Sequence, residues 1–443
     1  MTLLFRGMAW FGLYAAMVLL PLAVALAVDP VTMPRAFWTE AASGAGFVAF
    51  ALCALEFSLV GRFRAAAEPF GIDGLMLWHR WMGLAAALFL AAHAGWLALR
   101  SPSFASGFNP FQSSVGPAAG AGAFWLMIAV VASSLFRRRL PWRYESWQLL
   151  HGIGALGIVL GATVHAVAEG SYARSPVVRF LLLGYACLFL LLLARYRLWR
   201  PLRIWQHPWR VAEKREIGRN TLLLVLKPSK GRTWQGFEPG QFAWLITGRT
   251  PFSLEQHPIT IASSAEPSSD GRAEFAIKNL GDWSGRVVSA LRPGDALWVD
   301  GPHGAFTLDR EPGQGFVLIA GGIGISPMRS MLLTLRDRED RRPVVLFYAA
   351  PDVRGLVFTD ELETLAAEME LRVVYVLEEV QPGDVAESGY VTSDLLRRHL
   401  PRQYRRFQFY VCGPPSMMDA MERILPELDV PRVSIHTERF DMV

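Results

Sequence analysis

HRWMGLAAALFLAAH occupies residues 79–93 and places two histidines fourteen positions apart inside an apolar run long enough to cross a membrane. Histidine is costly in hydrocarbon, so each one placed there needs a partner. A later apolar run repeats the arrangement, HGIGALGIVLGATVH at residues 151–165, with the same spacing. The remaining five histidines, His207, His257, His303, His399 and His436, all follow residue 200. Fourteen helical residues rise about 21 Å and turn about 1400°, four turns less about 40°. His79 and His93 therefore share one helix face at two depths, as do His151 and His165.

Six apolar spans are read near residues 8–28, 43–60, 75–98, 119–136, 147–168 and 177–195, each about as long as a ~30 Å hydrocarbon core requires. The chain averages 52% hydrophobic and 19% charged residues, but these averages combine a membrane half with a second half of ordinary globular composition. The first run is too long for a signal-peptide core and is followed by further spans, so it reads as a retained helix. Arginines gather in loop 61–74 (Arg62, Arg64), in RRRLPWR at 137–143 and in RYRLWRPLR at 195–203, while the alternate loops are poorer. By the positive-inside rule the N-terminus and the whole second half are cytoplasmic; the membrane expected is the bacterial cytoplasmic membrane. That placement also accounts for the net charge of +5 without nucleic acid as a partner. Cys53, Cys187 and Cys412 form no CxxC pair, which argues against a zinc site, a cysteine-ligated cluster or a disulfide framework.

With spans three and five entering from the same side, His79 is level with His151 and His93 with His165. Gly83, Gly154, Gly157 and Gly161 leave room for a flat group between the helices. Two stacked imidazole pairs suit two b-type haems, each with both axial positions filled by histidine. The alternatives are polar residues satisfied by backbone or water, and a metal or proton path. No CxxCH is present for covalent haem attachment. Arg80 is either a haem propionate partner or a cation reaching for the interface.

The second half divides again. Residues 207–308 show short alternating runs such as TLLLVLKP and AEFAIKNL, broken by Pro and Gly, the pattern of an antiparallel barrel. From about 315, apolar strands alternate with helical stretches in a βαβ rhythm. The fold class is a membrane all-α six-helix bundle followed by an antiparallel β-barrel flavin domain and an α/β Rossmann-like nucleotide domain. The expected boundaries are 1–199, 200–310 and 311–443.

Within the barrel, PGQF (239–242), HPITIASS (257–264), IKNLGDWSG (277–285) and GPHG (301–304) follow in order. Backbone amides with Ser and Thr hydroxyls hold a pyrophosphate and a flavin ring, and Gly281, Ser284 and Gly285 offer such groups. GPHG alone is just a turn. GGIGISP (321–327) follows the strand FVLIA and opens a helix, so Gly321, Gly322 and Gly324 let the backbone approach a diphosphate. YVCGPPSMM (410–418) ends another strand; Cys412 is either beside the nicotinamide or a small buried residue at a strand end.

These motifs in this order resemble the NADPH oxidase and ferric reductase superfamily over nearly the whole chain. The membrane half resembles its ferric reductase transmembrane domain and the second half a ferredoxin–NADP reductase. HPITIASS is similar to the HPFTISS flavin motif, with His257 where plant-type reductases carry Arg. The resemblance implies FAD bound with help from His257, Pro258, Ile259, Thr260 and Ser263. It implies that Gly322, Gly324, Pro327, Cys412, Gly413 and Pro414 line the nicotinamide site, and that an aromatic near the C-terminus covers the flavin, with Phe440 the candidate and a plain core Phe the alternative. It also implies NAD(P)H as the donor, NADPH modestly ahead of NADH. Against that preference, FYAA is followed by Pro351 and Asp352 with Arg354 the nearest arginine, and VVYVL ends at Glu378 and Glu379. Neither EF-hand loops nor an appended ferredoxin is present in the sequence. The implied function is electron transfer from cytoplasmic NAD(P)H through FAD and two haems to a small-molecule acceptor across the membrane. Oxygen, giving superoxide, is the first acceptor expected; a ferric or other metal chelate is the second. A quinone- or partner-coupled haem subunit is a third reading, although with its own reductase a protein partner is not required. A non-catalytic haem receptor with a decayed second half is the fourth. Membrane lipid is the other expected contact.

Overall fold

The computed structural model describes residues 2–28, 36–61, 64–100, 109, 111, 114–229, 236–267, 271–281, 283–310 and 312–439. The chain forms two compact units, Met1–Arg200 and Pro201–Val443.

The first unit contains helices α1 (Thr2–Val28), α2 (Phe37–Val60), α3 (Arg64–Arg100), α4 (Val115–Leu135), α5 (Tyr144–Glu169) and α6 (Pro176–Ala194). All six helices are long and apolar enough to cross a membrane. A helix satisfies its own backbone hydrogen bonds, which is why it can sit in lipid. Many large apolar side chains, among them Phe5, Leu88 and Phe180, face outward. Along the middle of α2, Ala51 and Ala54 are completely buried, flanked by Phe50, Leu52 and Leu55; such small side chains let helices pack closely. Two helices outrun the apolar pattern. α3 begins at Arg64, inside the stretch read as a loop, and Gly71 interrupts it with φ +72°. The sixth helical course continues past Ala194 through a π turn at Arg195–Trp199 into α7 (Arg200–Trp205). Hydropathy marks only the lipid-immersed part of a helix, whereas its hydrogen-bond ladder continues into the polar interface.

The second unit holds two six-stranded sheets. The first comprises β1 (Trp209–Gly218), β2 (Thr221–Pro228), β3 (Phe242–Ile246), β4 (Gln256–Thr260), β5 (Ala273–Lys278) and β6 (Ala296–His303), in the order β4-β3-β6-β1-β2-β5. Its recorded pairings are antiparallel. The sheet is open, but its edges meet at one point, where Ile261 bridges to Phe275 of β5. Leu224, Leu245, Phe275 and Leu297 fill its interior.

The second sheet comprises β7 (Phe316–Gly321), β8 (Val344–Ala350), β9 (Leu371–Leu377), β10 (Glu387–Ser388), β11 (Gln408–Cys412) and β12 (Ile435–Thr437). It is parallel throughout, in the order β10-β9-β8-β7-β11-β12. A parallel sheet is covered on both faces, so its central strands are apolar without alternation; every residue of β7 is buried. α8 (Ile325–Asp337), α9 (Thr359–Glu368), α10 (Ser393–His399) and α11 (Pro415–Glu427) complete this module. The chain builds outward from β7 in one direction and then returns to add β11 on the other side. The ends of β7 and β11 thus flank a topological switch point, where open α/β sheets bind ligands.

Arg329 of α8 ties the two modules of this unit together. It is 4% exposed. Its guanidinium pairs with Glu274 of β5 at 2.6 Å and Glu361 of α9 at 2.5 Å, and donates to the Ala262 carbonyl at 2.8 Å. Removing one partner of such a group leaves the other charges desolvated and unpaired. Arg329→Leu is expected to cost roughly 3 kcal/mol, the lower end for a buried pair, because the two carboxylates keep 25% and 32% of their side-chain surface. The midpoint of thermal unfolding of the full chain, followed by tryptophan fluorescence, measures the loss; Arg329→Lys should restore only part of it, since Lys lacks the fork that serves both carboxylates.

Candidate functional site

The membrane unit brings the histidines of α3 against those of α5. His79 and His151 have ring centroids 6.2 Å apart, and His93 and His165 6.3 Å apart. Each ring is anchored through Nδ1. His93 Nδ1 lies 2.9 Å from the Ala42 carbonyl and His165 Nδ1 3.1 Å from the Gly116 carbonyl. His151 Nδ1 is 3.3 Å from the Ser134 hydroxyl, and His79 Nδ1 meets the Glu56 carboxylate. The anchors of α3 come from α2, and those of α5 from α4. Nδ1 takes the outward partner in all four, leaving Nε2 without a hydrogen bond among the described residues. Two glycines make room for the His93 and His165 rings: a Cβ at Gly46 would lie 2.9 Å from His93 Nδ1, and one at Gly120 2.6 Å from His165 Nδ1.

This donor set fits haem. A metal ion at Nε2 lies about 2 Å from that nitrogen and roughly 3.1 Å from the ring centre, so two imidazoles sharing one ion stand about 6.2 Å apart. Among the described residues no three His, Cys, Asp or Glu side chains converge as a metal cluster; a haem needs only two protein ligands, because the porphyrin supplies four nitrogens. Beside the His79–His151 pair, Trp147 lies 5.1 Å from His151, and Arg137 sits over the Trp147 ring at 5.7 Å and the Tyr144 ring at 5.9 Å. Arg80 is exposed.

In the second unit, His257, Pro258, Ile259 and Thr260 run along β4, paired with Leu245, Trp244, Ala243 and Phe242. The His257 ring stacks on Trp283 at 4.1 Å and 22°, and Trp283 Nε1 donates to the Thr247 hydroxyl at 2.9 Å. Ser263 is engaged structurally: its hydroxyl accepts from the Glu274 amide at 3.3 Å, and its carbonyl accepts from the Ser330 hydroxyl at 2.8 Å. Gly281 and Ser284 belong to a turn in which the Gly281 carbonyl accepts from Gly285 N at 2.8 Å and the Ser284 hydroxyl accepts from Leu280 N at 2.9 Å.

The two nucleotide turns touch at the switch point. Gly321, Gly322 and Gly324 follow β7, with Pro327 buried in the first turn of α8. Cys412, 1% exposed, ends β11 and is followed by Gly413 and Pro414. A Cβ at Gly324 would stand 2.1 Å from the Cys412 carbonyl, and one at Gly413 3.0 Å from the Gly321 Cα. Only glycine permits that approach. Phe440 lies outside the described residues. At the end of β8, Arg354 pairs with Asp352 at 2.8 Å, and this guanidinium holds the Asp352 carboxyl below its usual range. Glu379 N donates to the Pro351 carbonyl at 2.9 Å, which brings the acidic end of β9 alongside.

Sequence reasoning missed Glu56, Ser134, Trp283 and Glu438. Glu56 carried a signal, a carboxylate within an apolar span. Ser134 and the two carbonyl anchors carried none, because a contact between helices is not written in either helix. Glu438, 6% exposed, follows β12 and donates its amide to the Val411 carbonyl at 3.3 Å, one residue before Cys412.

Residues 45–162 match the family described as ferric reductase like transmembrane component, residues 209–307 an FAD-binding domain family, and residues 318–423 the oxidoreductase NAD-binding domain family. Fold and site thus define a flavin- and nicotinamide nucleotide-binding oxidoreductase joined to membrane helices. Its domain order is the architecture of the NADPH oxidase and ferric reductase superfamily. A flavohemoprotein of Deinococcus radiodurans is 32% identical over 256 residues, 55% of this chain and 60% of the relative. The reductase component of propane 2-monooxygenase from Mycolicibacterium smegmatis is 30% identical over 230 residues, 50% of this chain and 64% of the relative. The chain thus spans about 60% of the length of the curated relatives it matches. The crystal structure of a flavohemoglobin from Malassezia yamatoensis, with bound FAD and heme, aligns with a TM-score of 0.50 at 16% identity, over 90% of this chain and 98% of that one; this is a likeness of fold alone.

Gly324→Ala is expected to push the Cys412 turn away and weaken nucleotide binding tenfold or more, about 1.4 kcal/mol. Rapid-mixing measurement of flavin reduction against NADH and NADPH concentration checks this, with FAD content unchanged.

Proposed function

We propose that the protein carries electrons from cytoplasmic NAD(P)H, by way of FAD and two b-type haems, to a small-molecule acceptor on the far side of a bacterial cytoplasmic membrane. The observation that carries this reading is the pair of imidazole separations, 6.2 and 6.3 Å, each ring anchored at Nδ1. When bound, FAD converts a hydride's electron pair into single electrons, and haem held by two imidazoles stores one electron with little change at the iron.

The chain's residues supply the rest. His79 with His151, and His93 with His165, would hold the two haems; Glu56, Ala42, Ser134 and Gly116 fix the ring orientations. Arg137, over the Trp147 ring that neighbours His151, would be available to pair a haem carboxylate. His257, Pro258, Ile259, Thr260 and Ser263, with Gly281 and Ser284, would bind FAD, and the His257–Trp283 stack offers that site an aromatic surface. Gly321, Gly322, Gly324, Pro327, Gly413 and Pro414 would cradle the nucleotide, with Cys412 at the nicotinamide and Phe440 over the flavin. The arginine-rich loops support a cytoplasmic N-terminus and cytoplasmic residues 200–443. NADPH ahead of NADH rests on the family resemblance, with Arg354 the nearest cation at the end of β8; the ratio of kcat/KM for the two nucleotides tests it.

Oxygen, giving superoxide, is the acceptor proposed first, because a small uncharged molecule needs only an approach to the outer haem and no chelate pocket. Cytochrome c reduction by the FAD- and haem-loaded protein, with and without superoxide dismutase, tests this. Abolition of the signal by dismutase identifies oxygen; persistence makes a ferric or other metal chelate, or a periplasmic partner, the acceptor. His93→Leu is expected to halve the haem content measured as pyridine haemochrome and to stop transfer across proteoliposomes. Flavin reduction by NAD(P)H should continue; if transfer survives with one haem per chain, the two-haem path is wrong.

A further inference from the structure

The four Nδ1 anchors are not equivalent. Three are neutral: the carbonyls of Ala42 and Gly116 and the hydroxyl of Ser134. The fourth, on His79, is the carboxylate of Glu56. Ala42 and Glu56 are themselves fourteen residues apart on α2, matching the spacing of the two histidines they meet on α3. The same helix therefore gives a carbonyl to one imidazole pair and a carboxylate to the other. Both Glu56 oxygens are buried, and among the described residues its ionic partner is His79. Its other polar neighbours are Tyr14 of α1 and Cys53, one turn earlier on α2.

A carboxylate held against Nδ1 draws the proton there toward itself and makes the imidazole a stronger donor at Nε2. Ionised against His79, it also adds negative charge where the dielectric constant is low and little screens it. Both effects favour the oxidised, more positive state of a metal centre on that ring, and so lower its reduction potential. Carbonyl and hydroxyl anchors do this more weakly. We propose that Glu56 is a positioning residue that holds the His79–His151 centre at a lower reduction potential than the His93–His165 centre. The gradient points from the first pair to the second, so the direction of electron flow is built into α2. This rests on the reading that the histidine pairs hold haem.

The test is an equilibrium redox titration of the purified, haem-loaded full chain, followed in the optical α-band. His93→Leu and His79→Leu chains, each expected to retain one haem, assign the two waves. The inner centre is expected to titrate at the lower potential. Glu56→Gln keeps an acceptor for Nδ1 but removes the charge; it should move the lower wave to higher potential and narrow the gap, leaving the upper wave in place. Glu56→Asp should restore part of the separation. An unmoved lower wave in a Glu56→Gln chain that retains both haems overturns the proposal. If Glu56→Gln loses the inner haem, the comparison of the two single-haem chains decides, and an inner centre at or above the outer one overturns it. A wild-type chain that purifies without haem from a haem-supplied host overturns the haem reading itself, a separate outcome from a flat Glu56 response.

Discussion

An imidazole in hydrocarbon needs partners for its polar atoms, and the Nδ1 atoms of four histidines set the terms for the membrane unit. α3 must pack against α2 to give His79 and His93 their Nδ1 partners, and α5 must pack against α4 for His151 and His165. The helix pairing thus supplies the anchors, and the anchors aim the rings. Small residues at the contact, Gly46 and Gly120, are what let α2 and α4 come close enough to do it. Helix packing and site geometry are one constraint here.

The reductase unit meets a different constraint, the close approach of two backbone turns at the switch point of a parallel sheet. The apolar strands β7 and β11 lie side by side because the sheet is covered on both faces and its central members can be uniformly apolar. Their turns then converge without design beyond the absence of a Cβ at Gly324 and Gly413. Arg329 fixes the flavin sheet against this module through charge rather than apolar packing alone. A paired, nearly buried guanidinium tolerates few geometries, so it specifies one arrangement of the two modules.

Legibility tracked how local each feature was. Six apolar runs became six helices, because a run of that length in hydrocarbon has no other stable form. The uniform apolarity of FVLIA marked a strand covered on both faces; TLLLVLKP, expected to alternate, is instead buried at Leu223, Leu224, Val225 and Leu226 in succession, because both faces of β2 are packed. The helix ends were misplaced at Arg64 and past Ala194, where the hydrogen-bond ladder outlasts the apolar composition. The one meeting point of the open first sheet's edges is a single bridge, Ile261 to Phe275, which no local pattern announces.

The sequence by itself determined the depth and face of the four histidines, because helical rise and twist convert a spacing of fourteen into one face at two levels. It also determined that two glycine-bearing turns follow strands, because those motifs are contiguous. Only the tertiary structure decided which atom each imidazole meets, that one partner is a carboxylate and three are neutral, and that Trp283 stacks on His257. Those contacts join residues far apart in the chain, and their geometry depends on how whole helices and strands pack, which no single stretch of sequence encodes.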